Sequence, residues 1–447
     1  MGSAGKVEPI RTVTGRATRG DLSALIARAR ISAAALAIAA AYYWSSGARV
    51  AGMGTTESGA GGSTGVPLRS RTVQVVFAST AVAPLGVPLV SPALPAVRDR
   101  FALSDPEASV LVAGYFVVGI VLSPFIGLLT DRIGRKRVLV AGLTVFGAFG
   151  AAIAAAPSYP AVVALRVVQG TGAAAIFITT VTIIGDTFDG VQRNAVLGGN
   201  VAVLSAGAAL FPVLGGALVT AAWNAPFLAY LAALPVAGFA LVALEESPRP
   251  SSARSVDYLR DALETVATPA VLGLFGATFL TEALAFGVVF TAVPFLLGDV
   301  VSPLFLGGVL LAAEATSMAA AASAGRLASR VSNERIVALG FACYGLGFLG
   351  AWVAPTPAFV GASMVVVGAG IGLLLPTIDA ALGERAPAEH RAGAFSLRNS
   401  VTFLGRAAGP LAFAGLAVTA GLGYESLLLA AGVVAVAIAG LVEALTR

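Results

Sequence analysis

Long apolar runs alternate with short polar loops from Thr72 to the end of the chain. A helix that crosses the hydrocarbon layer needs roughly 20 apolar residues, because the layer is about 30 Å thick and a helix rises 1.5 Å per residue. The pattern therefore predicts an all-α membrane protein with twelve spanning segments, at residues 72–97, 109–129, 138–156, 161–184, 195–222, 225–244, 270–297, 303–324, 336–353, 358–382, 394–420 and 424–445.

The longest connection between these runs follows the sixth segment and divides the set into six and six. We expect one six-helix bundle at residues 71–245, a cytoplasmic linker at 246–268 and a second bundle at 269–447. Residues 1–70 are rich in arginine, glycine and serine and are predicted to form a disordered cytoplasmic tail. A short surface helix over the run ISAAALAIAAAYYW is the alternative for part of this tail.

The composition agrees with this interpretation. The chain has 447 residues, of which 57% are hydrophobic and 11% are charged, whereas soluble domains carry about 25% charged residues. The net charge of +5 comes from basic residues in short loops, which favours a topology signal over nucleic-acid binding. With one cysteine, Cys343, and one histidine, His390, the sequence supports neither an internal disulfide nor a histidine metal site, and no cofactor is expected.

The basic residues are distributed unevenly between the two sides of the predicted membrane protein. Thirteen lie in loops that follow even-numbered segments, and two, Arg98 and Arg100, lie in loops that follow odd-numbered ones. Because cytoplasmic loops carry the excess of lysine and arginine, both chain ends are predicted to be cytoplasmic in a plasma-membrane protein.

The chain also matches itself when it is shifted by 198 residues. In one ungapped register Arg132 falls on Arg330, Arg193 on Arg391 and Pro212 on Pro410. An even number of segments separates the copies, so a duplication would give two halves of the same orientation. Such halves enclose a cavity near the bilayer midplane, where a solute site can be reached from alternate sides.

One loop carries a specific motif. Between segments two and three lie Gly127, Asp131, Arg132, Gly134, Arg135 and Lys136. This spacing resembles the signature loop of the major facilitator superfamily, and the resemblance covers residues 72–447. It implies a twelve-helix transporter of small solutes, which we expect to be a monomer in the lipid bilayer.

Two further stretches resemble the drug/proton antiporter branch of that superfamily. The run LRVVQGTGAA places Arg166 and Gln169 in segment four. Segment one lacks the acidic residue that many such exporters use, and Phe211 replaces a glycine of the antiporter motif. The remaining positions of that motif, in segment five, are Gly198, Gly207, Pro212, Gly215 and Gly216.

The resemblance also implies a role for the charged loop. Asp131 would face the positive N-terminus of segment eleven, which starts near Ala394, and Arg135 would pair with Asp186 at the end of segment four. The two contacts would clasp the halves together on the cytoplasmic side. A solvated turn that only fixes topology is the alternative.

Five ionisable residues fall within predicted spans, where each costs a few kcal/mol and needs a partner or a cavity. Arg166 is expected to act in coupling at the cavity, or else to bond backbone carbonyls. Glu282 and Glu314 are candidates for a protonatable or substrate-contacting carboxylate, with an ion pair to Arg406 as the alternative. Asp379 is expected to form a structural pair.

These observations favour efflux of a hydrophobic or cationic small molecule in exchange for protons, or for sodium. An uptake symporter of the same fold is the first alternative, because EESPR after segment six weakly resembles a sugar-porter motif. A membrane sensor or assembly factor is the second. An enzyme is not expected, since no nucleophile–base pair or metal-ligand cluster is evident.

Overall fold

A computed structural model describes residues 65–246, 268–387 and 390–446 of the chain. The tail predicted at residues 1–70 lies almost entirely outside the described residues, and so does most of the linker predicted at 246–268. The two predicted bundle boundaries therefore stay predictions.

The described residues form twelve helical segments, whose ends lie within a few residues of those expected from the apolar runs. Eleven of them are long and apolar enough to cross a membrane. In chain order they are α1 (Arg71–Val82 and Leu94–Phe101), α2 (Asp105–Ile133), α3 (Arg135–Ala152), α4 (Tyr159–Thr187), α5 (Gly190–Val219), α6 (Ala225–Leu228, Ala229–Ala232 and Ala233–Ala243), α7 (Pro269–Leu284, Ala285–Ala292 and Val293–Gly298), α8 (Pro303–Ala328), α9 (Asn333–Trp352), α10 (Pro357–Arg385), α11 (Arg391–Val418) and α12 (Gly423–Leu445).

The first segment differs from the continuous helix expected at residues 72–97. Its two α-helical pieces are joined by irregular backbone with 3₁₀ turns at Ala83–Leu85 and Ser91–Ala93. Prolines at positions 84, 88 and 92 lie within this join. Each proline lacks the N–H group that would continue an α-helix, and its ring clashes with the preceding turn. The break leaves carbonyl groups that other side chains must satisfy.

The corresponding part of the C-terminal half is also irregular. Residues Ala285–Ala292 of α7 form a π-helix, in which the backbone takes one extra residue per turn. A shift of 198 residues maps this π-helix onto positions 87–94, within and just beyond the break in α1. Irregular backbone at matching positions of two repeats points to a transport site between them.

Helix packing follows the repeat as well. In the N-terminal half (α1–α6), α4 packs on α2 and α3, α3 on α6, and α1 on α5; in the C-terminal half (α7–α12), the equivalent pairs are α10 with α8 and α9, α9 with α12, and α7 with α11. The halves meet mainly along two helix pairs, α2 with α11 and α5 with α8. These pairs are equivalent to each other, because the repeat relates α2 to α8 and α5 to α11.

Close backbone contacts reproduce the same register. A side chain at Gly170 would collide with the carbonyl oxygen of Tyr115, and one at Gly368 would collide with that of Ala313. The 198-residue shift relates these two contacts to each other. In both, the glycine lets two helices approach closely within the membrane. The expected polytopic all-α fold is confirmed.

Candidate functional site

A central cavity of about 1040 Å³ lies between the halves and is lined by α1, α2, α4, α5, α7, α8, α10 and α11. We call the membrane face that carries the α2–α3 loop the basic face, and the other one the opposite face. The cavity wall extends to helix ends on the basic face, at Asp186, Arg193 and Gly393. A solute can therefore enter from that side.

At the opposite face the halves are in contact. The hydroxyl of Ser91, in the break of α1, donates to the carbonyl oxygen of Phe290, in the π-helix of α7, at 2.6 Å. Farther along, Gly216 of α5 lies against the carbonyl of Pro303, and Gly307 of α8 lies against that of Pro212. The cavity is thus accessible from one face and closed towards the other.

A bidentate ion pair lies in the cavity wall at the closed end of the cavity, which we call the inner end. Arg406 donates from Nε to Glu282 Oε2 at 2.8 Å and from Nη2 to Glu282 Oε1 at 3.0 Å. Its guanidinium carbon lies 4.9 Å from the ring centre of Phe286 and 5.6 Å from that of Phe116. The pair joins α7 to α11 within the C-terminal half, while Phe116 brings α2 of the other half against it. The charges of Glu282 and Arg406 neutralise each other.

Glu314 is in a different position. Its carboxyl group lies in the cavity wall on α8, and none of the hydrogen bonds or ion pairs within the described ranges involves it. Aromatic side chains share the same wall, among them Tyr115, Phe116 and Phe286. The result is an acid with no bonded partner among the described residues, in a cavity wall made mostly of apolar side chains, where it can hold a proton or attract a cation.

Arg166 is fully buried among neutral groups. It donates from Nε to the carbonyl of Leu111 at 2.9 Å, and from Nη1 to Gln169 Oε1 at 2.7 Å and to the hydroxyl of Tyr230 at 2.9 Å. Its Nη2 donates to the carbonyl of Gly86, in the break of α1. Arg166 therefore ties α4 to α1, α2 and α6, and satisfies a carbonyl that the break leaves free.

The structure corrects the expectation that Arg166 and Gln169 lie at the cavity. Both side chains have no exposed surface, and the Arg166 guanidinium lies 4.4 Å behind the ring of Tyr115, which is the residue in the wall. The arrangement matches the alternative of an arginine bonded to backbone carbonyls. Any part of Arg166 in proton coupling stays a prediction.

The charged loop forms a compact network on the basic face. Arg135, which is nearly fully buried, donates from Nε to Asp186 Oδ2 at 2.8 Å, so the expected pair with the end of α4 is present. It also donates from Nη2 to Asp131 Oδ1 at 2.8 Å and from Nη1 to the carbonyl of Thr130 at 3.1 Å. Asp131 is thus bonded within its own loop, and its docking at the start of α11 stays a prediction.

The other loop residues have separate surroundings. Gly134 has a φ of 102°, in the region that favours glycine, and a side chain there would collide with the carboxylate of Glu246. That carboxylate accepts from the backbone N–H of Lys136 at 3.2 Å and so caps α3, a helix whose first residue follows a glycine. Gly127 lines the cavity, and Arg132 is exposed.

The repeat contains an altered copy of this network. Asn333 replaces Arg135 in the register and donates from Nδ2 to Glu384 Oε2 at 3.2 Å, the acid equivalent to Asp186. Asn333 carries no charge, and the ion pair between the same helix ends is made instead by Arg385 of α10 and Glu334 of α9, at 2.5 Å. The two copies thus join equivalent helix ends with different residues, and the clasp between the halves stays a prediction.

The glycines of α5 serve close packing. Gly207 lies against the ring of Pro84, and Gly215 lies against the carbonyl of Leu89, so both let α5 approach the broken part of α1. Gly216 and the carbonyl of Pro212 contact α8, as described above, whereas Gly198 faces open space.

Several residues of the site were not expected from the sequence. Tyr115, Phe116 and Phe286 form the aromatic wall, and Arg398 of α11 lines the cavity with its Nε 3.0 Å from Asp379 Oδ1, the structural pair expected for that acid. The 198-residue register could have indicated Phe116, because it maps Phe116 onto Glu314.

A broken α1 and a π-helical stretch in α7, at matching positions around a cavity between the two halves, are typical of a polytopic membrane transporter. A family model described as Major Facilitator Superfamily matches residues 76–313 and 274–446. The chain belongs to the major facilitator superfamily, whose members transport small molecules across the bilayer and are not enzymes.

Similar proteins agree with this assignment. The chain is 28% identical over 349 residues to the bacillibactin exporter of Bacillus subtilis (strain 168), covering 74% of this chain and 86% of that protein. It is also 28% identical over 354 residues to the multidrug efflux protein YfmO of the same organism, covering 78% and 86%. A solved structure of a bacterial homologue of the human lysosomal transporter Spinster, inward-facing and unoccupied, has a TM-score of 0.69 at 16% identity, with 86% of this chain and 98% of that chain covered.

Proposed function

We propose that this transporter exports hydrophobic monovalent cations in exchange for protons, and that Glu314 binds the two cations in turn. The observation that carries the proposal is the carboxyl group of Glu314 in the cavity wall, which shares the wall with aromatic rings and has no partner among the described residues. A cation binds such a site by charge attraction and by contact with aromatic faces.

The charge balance of the cavity supports exchange of one cation for one proton. Glu282 and Arg406 are paired, so the inner cluster has one negative charge left when Glu314 is ionised. A carboxyl group held away from water releases its proton more easily when a cation replaces it. The site then holds a proton or a substrate cation, and each displaces the other.

The proposed orientation places the basic face in the cytoplasm, together with both chain ends, in the cell membrane. The excess of basic residues in the loops of that face supports this orientation. The cavity would then be open inward, ready to take up a substrate from the cell or the inner leaflet. The loop of Asp131 and Arg135 would close that side during export. The names of the two relatives, an exporter and a multidrug efflux protein, favour this direction.

Electroneutral exchange can be tested with purified protein in liposomes. Ethidium movement is followed by fluorescence while the pH gradient and the membrane potential are set independently. We expect transport under a pH gradient at zero potential, and none under a potential without a pH gradient, because a monovalent cation leaves as a proton enters. Glu314→Gln should abolish the pH-driven flux, since its amide binds neither ion.

Glu425→Gln is the matched control, because Glu425 is an exposed acid at the start of α12. It should transport like the unchanged protein. Full pH-driven flux in Glu314→Gln would reject Glu314 as the exchange site. Flux that follows a sodium gradient in place of the pH gradient would reject the proton as the coupling ion.

A further inference from the structure

An arginine on the opposite face holds three carboxylates, one with each nitrogen of its guanidinium. Arg98 donates from Nε to Asp99 Oδ1 at 2.9 Å, from Nη1 to Asp105 Oδ1 at 3.1 Å and from Nη2 to Asp299 Oδ1 at 2.8 Å. Its side chain is 17% exposed, so the bonds are only partly screened by water.

These bonds differ in what they connect. Arg98, Asp99 and Asp105 all belong to the N-terminal half, whereas Asp299 follows α7 in the C-terminal half. A second link crosses in the same place, because the hydroxyl of Tyr424, in α12, donates to Asp105 Oδ2 at 2.9 Å. The halves are therefore joined here by one ion pair and one hydrogen bond.

The two acids of the N-terminal half prepare Arg98 for its partner across the interface. Asp99 and Asp105 fix Nε and Nη1, so Nη2 stays directed at the other half even when the halves separate. Less side-chain entropy is then lost when Asp299 returns, which makes this pair stronger than an ordinary surface ion pair.

The network lies where the halves close. Gly298, next to Asp299, packs against Pro95, and the contacts of Gly216 with Pro303 and of Gly307 with Pro212 are on the same side. All of these contacts must break for the cavity to open on the opposite face. The repeat supplies no second copy, since the register maps Arg98 onto Leu296 and Asp105 onto Pro303.

We infer that Arg98 and Asp299 form a latch that stabilises the closed state of the opposite face, and that Asp299 shifts the balance between the two open states more than Asp99 does. This inference concerns the conformational equilibrium and holds whatever the substrate or coupling ion is.

Asp99 provides a close control for Asp299. The two aspartates bind the same guanidinium at 2.9 and 2.8 Å and are 65% and 66% exposed, but only Asp299 crosses the interface. Spin labels are placed by Ser158→Cys and Ala420→Cys, on exposed loops of the two halves, with Cys343→Ser to remove the native thiol. Distances between the labels are measured by electron spin resonance in liposomes without substrate.

We expect Asp299→Asn to raise the ratio of long to short distances about two- to fivefold, as the loss of one partly shielded ion pair predicts. Asp99→Asn should shift the ratio clearly less than Asp299→Asn, because it removes a bond that orients Arg98 and leaves the bond across the interface in place. Tyr424→Phe, which keeps the ring packed on Phe295, should give a smaller shift in the same direction. Equal effects of Asp99→Asn and Asp299→Asn, or no shift with Asp299→Asn and Tyr424→Phe, would overturn the latch.

Discussion

The two halves of the molecule share one backbone plan and use their buried charges differently. In the N-terminal half, Arg166 lies behind the cavity wall and bonds carbonyls of α1 and α2. Its repeat position in the C-terminal half is Met364, which is also fully buried. One half therefore packs with an arginine where the other packs with a thioether.

The opposite holds at the cavity. Glu282, Glu314 and Arg406 are charged residues of the C-terminal half that lie in the cavity wall. The equivalent positions of the N-terminal half in the 198-residue register are Pro84, Phe116 and Ala208. The equivalence is structural, because Gly207 packs on Pro84 as Gly405 packs on Glu282. The comparison teaches that both halves keep the same glycine contacts but place their buried charges differently: behind the cavity wall in one half, and in the wall itself in the other.

Removing the supporting charge should have the largest effect on stability. Arg166→Met copies the residue of the other half but removes the arginine donors to the carbonyl of Leu111 and to Gln169 Oε1, while the carbonyl of Gly86 keeps the bond from the hydroxyl of Tyr230. Each unpaired buried group costs about 1 to 3 kcal/mol, so we expect a loss of about 3 to 5 kcal/mol in unfolding free energy. Thermal unfolding in detergent measures it, with Met364→Leu as the mild control. Similar melting temperatures for both variants would show that the two packing schemes are interchangeable.

Breaking the ion pair at the cavity should have an intermediate effect. Glu282→Gln leaves Arg406 without its counter-charge and should destabilise the protein by about 2 to 3 kcal/mol, less than for a fully enclosed pair because Arg406 is 22% exposed. The double variant Glu282→Gln/Arg406→Met should recover most of that loss, since the equivalent positions of the N-terminal half need no charge. A double-mutant cycle on unfolding measures the coupling, and additive losses would contradict the pairing.

The shared contacts should give the smallest effect and the same one in each half. Gly170→Ala and Gly368→Ala both push a methyl group against a backbone carbonyl of the neighbouring helix, and we expect each to cost about 1 to 3 kcal/mol. Gly273→Ala, where the added methyl group would meet open space, should be neutral or stabilising. Melting temperatures of the three variants check this, and clearly unequal losses for the first two would break the structural equivalence.

Much of the fold could be predicted from the sequence, because the spans depend on local apolar length and the repeat is visible in one register. The interruption of α1 was missed, although its prolines are plain in the sequence, since an apolar run does not reveal whether proline bends a helix or breaks it. The π-helix of α7 has no comparable local signal and became apparent only in the backbone.

The site was harder to predict because depth in the membrane does not tell which way a side chain points. Arg166 and Glu314 both fall within predicted spans, yet one bonds carbonyls behind Tyr115 and the other faces the cavity. The choice between Glu282 and Glu314 depended on where Arg406 lies, which is a contact between distant segments. Arg98 was one of two basic residues in loops on the side with few positive charges. Its partner in the other half, Asp299, is found only in the structure.

The cap that Glu246 provides to α3 has a consequence for how the protein could be divided into two chains. The acid belongs to the last residues before the connection between the halves, yet it completes a helix start more than a hundred positions earlier. A split gene would have to place its junction after this residue, so that the first polypeptide carries its own cap. Cutting a few codons upstream would leave α3 frayed at the loop where Arg135 and Asp186 meet.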